Sequence, residues 1–403
     1  MTIPRDFWTL WQGQLVSQMG TQAFQVLALF WLAKNTGSAS AGAAFLALSL
    51  IPPVLFGPAL ARWGRKFAPR TVMVSCDAVA SCLALPVLLA LVMQAPTQVV
   101  VAMLLMANGM LALVHALMMP TLHSSVPLLV PKEQLLKANG WMITTQQIAS
   151  VLGQGLGGVA YGFIGPAGLC MANMLGFALS GMWASRLQAP AARETPVQVS
   201  AAPRAWAMLR ANGPLRRLAT VSAVFNVLYA PWIVLLPFHL MESGQGSPAT
   251  MGWVLAGCGA GSLMGNLLLQ RLSKLGGSAQ LPLALGFQAL CLMTLGCTHG
   301  AVQTAAVLFV MGAGIGFVNV QLMTRMQNAV APADRSQAIA VVRSTVHIAT
   351  PLGYGFVAFA QHSLQVSPGT VYGLSGLLLL LALLPFAPGL VRDARELEQG
   401  SPS

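Results

Sequence analysis

Four ionisable side chains lie within long apolar stretches of the sequence: Asp77, His115, Arg343 and His347. Such groups are costly in lipid, so those inside a membrane span usually face the interior of a helix bundle and have a function. A carboxyl or an imidazole can carry a proton, and a guanidinium can bind an anionic or carbonyl oxygen. We therefore expect Asp77, His115 and His347 to be candidates for proton coupling, and Arg343 to contact an oxygen-rich ligand.

Asp77 and His115 each have a structural interpretation as well. Asp77 lies early in its apolar segment, where it could form a structural or gating salt bridge with Arg62, Arg65 or Arg70. An interior histidine such as His115 is also commonly held by ordinary hydrogen bonds. The sequence leaves both interpretations open for both residues.

Uncharged polar side chains share one face of the first apolar segment. At about 100° per residue they fall within an arc of roughly 100°. The residues on this face are Gln14, Gln18, Thr21, Gln22 and Gln25. We expect them to line a cavity, because hydrogen bonding between helices seldom needs four glutamines on one face. The alternative is interhelical bonding, worth about 0.6 kcal/mol per contact in membranes.

A second polar row follows one face of a predicted helix late in the sequence. Arg343, His347, Thr350 and Tyr354 stand at i, i+4, i+7 and i+11, which is the spacing of one helical face. Arg343 could instead extend to the cytoplasmic interface or pair with Asp334. As a whole the row predicts a polar wall of a ligand cavity.

These polar positions recur at two fixed offsets, which indicates an internal repeat. Those that correspond at an offset of 200 are Gln147 with His347, Ser150 with Thr350 and Gln154 with Tyr354, and those at an offset of 208 are Gln18 with Asn226 and Thr21 with Tyr229. Proteins built from such repeats bind small solutes near the bilayer midplane, between the repeats. We expect the two sets to line one substrate cavity, with hydrogen-bonding groups set among apolar walls.

The composition excludes a soluble globular protein. Of the 403 residues, 56% are hydrophobic and 7% charged, with a mean hydropathy of +0.71, whereas soluble domains carry about 25% charged residues. The apolar runs are too long and continuous for the strands of a β-barrel. Helices that span lipid need about 20 apolar residues each. The predicted spans are, approximately, 8–33, 40–60, 71–94, 98–119, 138–163, 166–187, 216–240, 249–269, 280–298, 301–322, 337–360 and 370–390.

The charges indicate how the chain is oriented in its membrane. Of 21 Lys and Arg residues, all but Lys34 and Arg343 fall on alternate connections, which lie on one side of the membrane. This positive-inside pattern predicts a multi-pass protein of the bacterial inner membrane with both termini in the cytoplasm. The net charge of +12 is therefore explained by basic residues that orient the chain in its membrane, and we expect no nucleic-acid partner.

The spans divide into six plus six around one long polar stretch. We predict an N-terminal bundle over residues 1–187, a cytoplasmic linker over 188–215 and a C-terminal bundle with a short cytoplasmic tail over 216–403. The linker is rich in Pro, Ala and Arg, and an amphipathic interfacial helix is expected around Trp206. The fold class predicted is an all-α integral membrane protein, with twelve transmembrane helices in two pseudo-symmetric six-helix bundles.

A glycine-led basic loop follows the second span. Residues 57–66 read GPALARWGRK and resemble motif A of the major facilitator superfamily. The resemblance implies a gating role for Gly57, Arg62, Gly64, Arg65 and Lys66, with Asp77 as the nearest acid. Glycines permit close approach and sharp turns, and clustered arginines anchor at the cytoplasmic leaflet. The superfamily usually has an aspartate where this chain has Ala61, so the resemblance does not extend to the acidic residue of its charge latch.

Two further segments extend the resemblance over the whole chain. Residues 153–158 (GQGLGG) are similar to the glycine-rich antiporter motif of the superfamily, with Gln154 where proline is usual. Residues 127–135 (PLLVPKEQL), followed by 138–140 (ANG), resemble the branch that holds macrolide-efflux and enterobactin-type siderophore exporters. This resemblance implies proton-motive-force-driven export of an amphiphilic small molecule, a drug or a siderophore-like natural product, by alternating access.

Other classes of function fit the sequence less well. An importer or uniporter of a small polar solute is the alternative with the same fold. An enzyme is not expected, since no GxSxG, HExxH or P-loop sequence occurs. The six cysteines have no ligand spacing, so we expect neither a metal nor a cofactor. The expected partners are a small-molecule substrate, membrane lipid and protons, and the chain is expected to be monomeric.

Overall fold

Helices account for nearly all of the chain that can be described. The computed structural model describes residues 4–187, 202–272, 277–331 and 334–399, and no strand occurs within these ranges. The helices are α1 Arg5–Thr36, α2 Ala39–Gly64, α3 Pro69–Val92, α4 Thr97–Leu129, α5 Leu135–Ser185, α6 Ala202–Ala211, α7 Gly213–Tyr229, α8 Pro231–Glu242, α9 Pro248–Leu272, α10 Gln280–Gly296, α11 Ala301–Asn328, α12 Arg335–Ser363, α13 Pro368–Leu383 and α14 Ala387–Gln399.

Several of these helices are suited to lipid. Seven helical segments in the described ranges are long and apolar enough to cross a membrane: Ala39–Gly64, Pro69–Val92, Thr97–Leu129, Lys137–Ser185, Gly213–Glu242, Ala301–Asn328 and Pro368–Glu396. Helices α1 and α12, which hold most of the predicted cavity residues, are more polar and are not among the seven. The protein is thus a multi-pass membrane protein, and the predicted all-α membrane class is confirmed.

The predicted break between the fifth and sixth spans falls inside α5. Gly165 has φ 66° and ψ −178°, and Pro166 follows it. Glycine adopts positive φ without a steric penalty, and proline lacks the N–H that would continue the helix. The two residues together interrupt α5 where the sequence places the end of one span and the start of the next.

By its internal contacts the chain forms two compact units. The first unit contains the described residues of Met1–Pro196 and Gly246–Ala256, and the second contains those of Val197–Gln245 and Gly257–Ser403. Of the predicted linker, residues 188–201 lie outside the described residues. Residues 202–211 form α6, a short helix that contains Trp206.

Candidate functional site

The glutamine face of α1 points into the first unit. Gln14 is only 3% exposed, and the amide of Gln18 donates to its Oε1 at 3.3 Å. Gln22 and Gln25 are half-buried on the same face. Fifteen of the 32 residues of α1 are buried, and only Arg5, Gln12, Lys34 and Asn35 are exposed.

Two of the predicted cavity residues bond to one another across α1 and α5. The Nε2 of Gln154 donates to the Oε1 of Gln22 at 3.0 Å and lies 3.3 Å from the Oγ of Ser150. Gly153 brings the helices together, because a Cβ atom there would lie 2.6 Å from the carbonyl oxygen of Met19. Gln22 and Gln154 thus form an interhelical hydrogen bond, the role that the sequence offered as the alternative to lining a cavity.

Asp77 is a buried carboxyl in α3 with one unused oxygen. The residue is 4% exposed, Ser180 hydrogen-bonds its side chain, and its Oδ2 has no hydrogen-bond partner in the described structure. Arg62, Arg65 and Arg70 are exposed, and no ion pair within the described ranges joins them to Asp77. Within the described ranges, Asp77 therefore does not form the salt bridge with Arg62, Arg65 or Arg70 that the sequence left open.

The other predicted polar residues of the first unit are less constrained. Gln147 in α5 and His115 in α4 are both half-buried. Neither side chain forms a hydrogen bond to another described residue. His115 is therefore not held by the hydrogen bonds that an interior histidine commonly makes.

The expected motif A loop is mostly helical, because residues 57–64 form the last two turns of α2 and only Arg65 and Lys66 lie in the connection to α3. Gly64 is the last residue of α2 and is buried. It packs closely against α4, since a Cβ atom at this position would lie 2.5 Å from the Cδ1 of Leu117. Gly57 lies near the same helix, with its Cβ position 4.0 Å from the Cβ of Ala116. Arg62, Arg65 and Lys66 are exposed. The glycines thus serve helix packing, and the cations are left accessible.

In the second unit, Tyr229 is held inside the helix bundle. It is 6% exposed, and its hydroxyl donates to the Oε1 of Gln288 at 2.9 Å. The amide of Gln288 in turn donates to the carbonyl of Met311 at 3.0 Å. Asn226, one turn earlier, donates to the carbonyl of Ser222 at 2.8 Å. Sequence analysis missed Gln288, although a fully buried glutamine in an apolar span is itself a signal of an internal bond.

The polar row of α12 is the least engaged part of the predicted cavity. Arg343 is exposed, and His347 and Tyr354 are half-buried. Thr350 is buried, and its hydroxyl donates a hydrogen bond to the carbonyl of Val346 at 2.8 Å. Within the described ranges, the side chains of Arg343, His347 and Tyr354 form neither a hydrogen bond nor an ion pair. These polar groups are therefore not used in side-chain contacts within the described part of the chain.

A charged contact that the sequence did not predict holds the C-terminal helix. The Nη1 of Arg217 in α7 lies 2.5 Å from the Oδ2 of Asp393 in α14 and donates to the carbonyl of Gly389 at 2.9 Å. Arg325 of α11 donates to the carbonyls of Leu390 and Ser278 at 3.0 Å each. Two arginines thus fasten α14 to the second unit.

Comparison with known sequences establishes the family. The family model described as Major Facilitator Superfamily matches residues 10–354 and, in a second match, residues 234–400. The chain belongs to this superfamily, whose members are transporters. It is similar to Macrolide efflux protein A of Streptococcus pyogenes, with 24% identity over 86% of this chain and 87% of that protein. The protein of the same name from Enterococcus faecalis is 23% identical over 76% of this chain and 96% of its own length.

Solved structures share the fold. A bacterial homologue of the iron transporter ferroportin superposes with a TM-score of 0.75 at 15% identity, covering 96% of this chain and 100% of that one. A bacterial homologue of the human lysosomal transporter Spinster gives a TM-score of 0.74 at 14% identity, covering 99% and 98% of the two chains. The predicted major facilitator fold is confirmed.

Proposed function

We propose that this protein exports an amphiphilic small molecule, a drug or a siderophore-like natural product, from the cytoplasm. The observation that carries the proposal is the similarity to Macrolide efflux protein A, which extends over 86% of this chain. Such a similarity involves both units and not one shared helix pair. The proposed mechanism is alternating access, in which the substrate site opens in turn to the two sides of the membrane.

The proposal includes a location and an orientation. The basic residues lie on alternate connections, and this pattern supports a location in the inner membrane with both termini in the cytoplasm. We propose that the predicted halves, 1–187 and 216–403, move against one another as a monomer, with residues 188–215 as their link. The exposed cations of the motif A loop, Arg62, Arg65 and Lys66, then lie at the cytoplasmic surface.

Protons are the proposed coupling ion, and Asp77 is the proposed carrier. An unpaired charge is costly to bury, whereas a carboxyl with an unused oxygen can hold a proton there. The burial of Asp77 and the unpartnered Oδ2 support this role. His115 and His347 are the further candidates, because each lacks a hydrogen-bond partner in the described structure and imidazole exchanges protons readily.

The test is accumulation of labelled erythromycin in cells that lack their own efflux pumps. Cells that produce the protein should hold less label than cells with an empty vector, and a protonophore should abolish the difference. Secreted siderophore is measured in the same cells. If neither the erythromycin held by the cells nor the secreted siderophore changes, the proposal that the protein exports these classes of molecule is wrong. Higher accumulation with the protein would favour the importer or uniporter, and inside-out vesicles would confirm the direction.

A further inference from the structure

Each unit contains a close contact between two helices at a glycine. The two contacts correspond to one another at the offsets of the sequence repeat. In the first unit, a Cβ atom at Gly153 would lie 2.8 Å from the Cβ of Gln22. In the second, a Cβ atom at Gly353 would lie 2.7 Å from the Cβ of Ala230. Gly353 follows Gly153 by 200 positions, and Ala230 follows Gln22 by 208. Side chains around these two glycines can therefore be compared position by position.

The comparison shows that the polar row is used differently in the two units. In the first unit, Gln154 bonds to Gln22 and so contributes to packing. In the second, Tyr354 stands in the place of Gln154, but the partner position holds the methyl group of Ala230. Within the described ranges, the hydroxyl of Tyr354 forms no hydrogen bond. The first unit therefore uses Gln154 for helix packing, whereas the hydroxyl of Tyr354 in the second unit has no partner in the described ranges.

The unused row lies away from the apolar surface of α12. Ile348, Leu352 and Phe359 are 53%, 68% and 58% exposed and share one face of the helix. At about 100° per residue, the centre of the polar row lies about 150° around the helix from this apolar face. An apolar exposed face suits lipid, so the exposed guanidinium of Arg343 faces the opposite side, where water or a ligand can reach it.

The positive charge of Arg343 makes an anionic ligand the best match for this row. Arg343 and His347 are one helical turn apart, and no carboxylate in the described structure pairs with either of them. Guanidinium groups bind carboxylates through two parallel hydrogen bonds. Tyr354 adds a hydroxyl eleven residues from Arg343, which is about 16 Å along a helix. A long ligand with an acidic group at one end fits this arrangement.

We propose that the α12 row of Arg343, His347, Thr350 and Tyr354 is an anion-binding subsite, which takes a carboxylate, sulfonate or phenolate group of the transported molecule. The proposal rests on the proposed function, since it assigns the row to the substrate path. Arg343 binds the acidic oxygens, His347 donates a further hydrogen bond, and Tyr354 contacts the distal part of the ligand. The subsite accordingly favours the siderophore-like members of the proposed substrate class, whose acidic groups it would bind.

The test uses two dyes that share a xanthene core and differ in charge, anionic fluorescein and cationic rhodamine 6G. Their binding to the full chain in phosphatidylcholine nanodiscs is measured by fluorescence anisotropy. Wild type should bind fluorescein more tightly than rhodamine 6G. Arg343→Gln should weaken fluorescein binding at least tenfold, the size expected for loss of a charge-assisted hydrogen bond. Arg392→Gln removes an exposed cation from α14 and should leave binding unchanged.

Other outcomes would overturn the subsite. These are equal fluorescein affinity in the two variants, a preference of wild type for rhodamine 6G, or no dye binding by wild type. If Arg343→Gln does not fold, wild type gives the same test, because excess benzoate should displace fluorescein and excess benzylamine should not. Failure of erythromycin and siderophore export in cells, with the fluorescein result intact, would refute the exporter and retain the anion subsite.

Discussion

Gly153 lies so close to α1 that a Cβ atom at this position would be 2.6 Å from the carbonyl oxygen of Met19. Helices in lipid gain no hydrophobic driving force from meeting, so they rely on close backbone contact and interhelical hydrogen bonds. Gly153 provides the contact, and its neighbour Gln154 provides the bond to Gln22. One short segment of α5 therefore supplies both a close backbone contact and an interhelical hydrogen bond to α1.

Replacement of Gly153 by alanine should destabilise the first unit. The new methyl group must displace the backbone of α1, and overpacking of this kind costs about 1–3 kcal/mol. Thermal unfolding of the purified protein measures the effect as a lower Tm. Gly162→Ala is the matched control on the same helix, because no atom lies within 4 Å of its Cβ position. An equal loss in both variants would contradict the packing role of Gly153.

The bond between Gln22 and Gln154 should appear in a double-mutant cycle. Gln22→Ala, Gln154→Ala and the double variant should show a coupling of about 0.6 kcal/mol, the value typical of polar contacts between membrane helices. Denaturant unfolding in detergent gives the three free energies. The exposed Gln12 provides a control, since Gln12→Ala should be additive with Gln154→Ala. Additivity of Gln22 with Gln154 would show that the bond contributes nothing.

Asp77→Asn should separate transport from proton coupling. The amide keeps the size of the carboxyl but cannot bind and release a proton. We expect uptake of erythromycin into proteoliposomes driven by a pH gradient to be lost, while exchange without a gradient continues. Asp6→Asn, a neutralisation in the first turn of α1, should leave both activities intact. Gradient-driven transport that survives in Asp77→Asn would move the coupling role to His115 or His347.

Asp393→Asn should loosen the C-terminal helix. The carboxylate of Asp393 pairs with Arg217 at 2.5 Å, and the two side chains are only 10% and 24% exposed. A hydrogen bond to a charged group contributes about 2 kcal/mol, so cleavage within α14 by a protease should become faster. Glu396→Gln is the control, because Glu396 pairs with Arg392 on an exposed surface. Equal cleavage of wild type and Asp393→Asn would show that the pair does not fasten α14.

The sequence by itself determined the features that depend on local chemistry. The long apolar runs required helices in lipid, and the predicted spans 138–163 and 166–187 placed a break where Gly165 and Pro166 interrupt α5 in the structure. The offsets of 200 and 208 predicted a repeat, and the structure shows it in the contacts of Gly153 and Gly353. Each of these signals is carried by neighbouring residues or by regular spacing.

Only the tertiary structure decided which polar groups are paired. Periodicity places Gln22, Gln154 and Tyr229 on the interior faces of their helices, but it does not say what lies opposite. The structure places Gln288 against Tyr229 and leaves Arg343 without a partner among the described residues. The contact between Arg217 and Asp393 joins residues 176 positions apart. Partners depend on the rotation and depth of separate helices, which packing sets and no local pattern encodes.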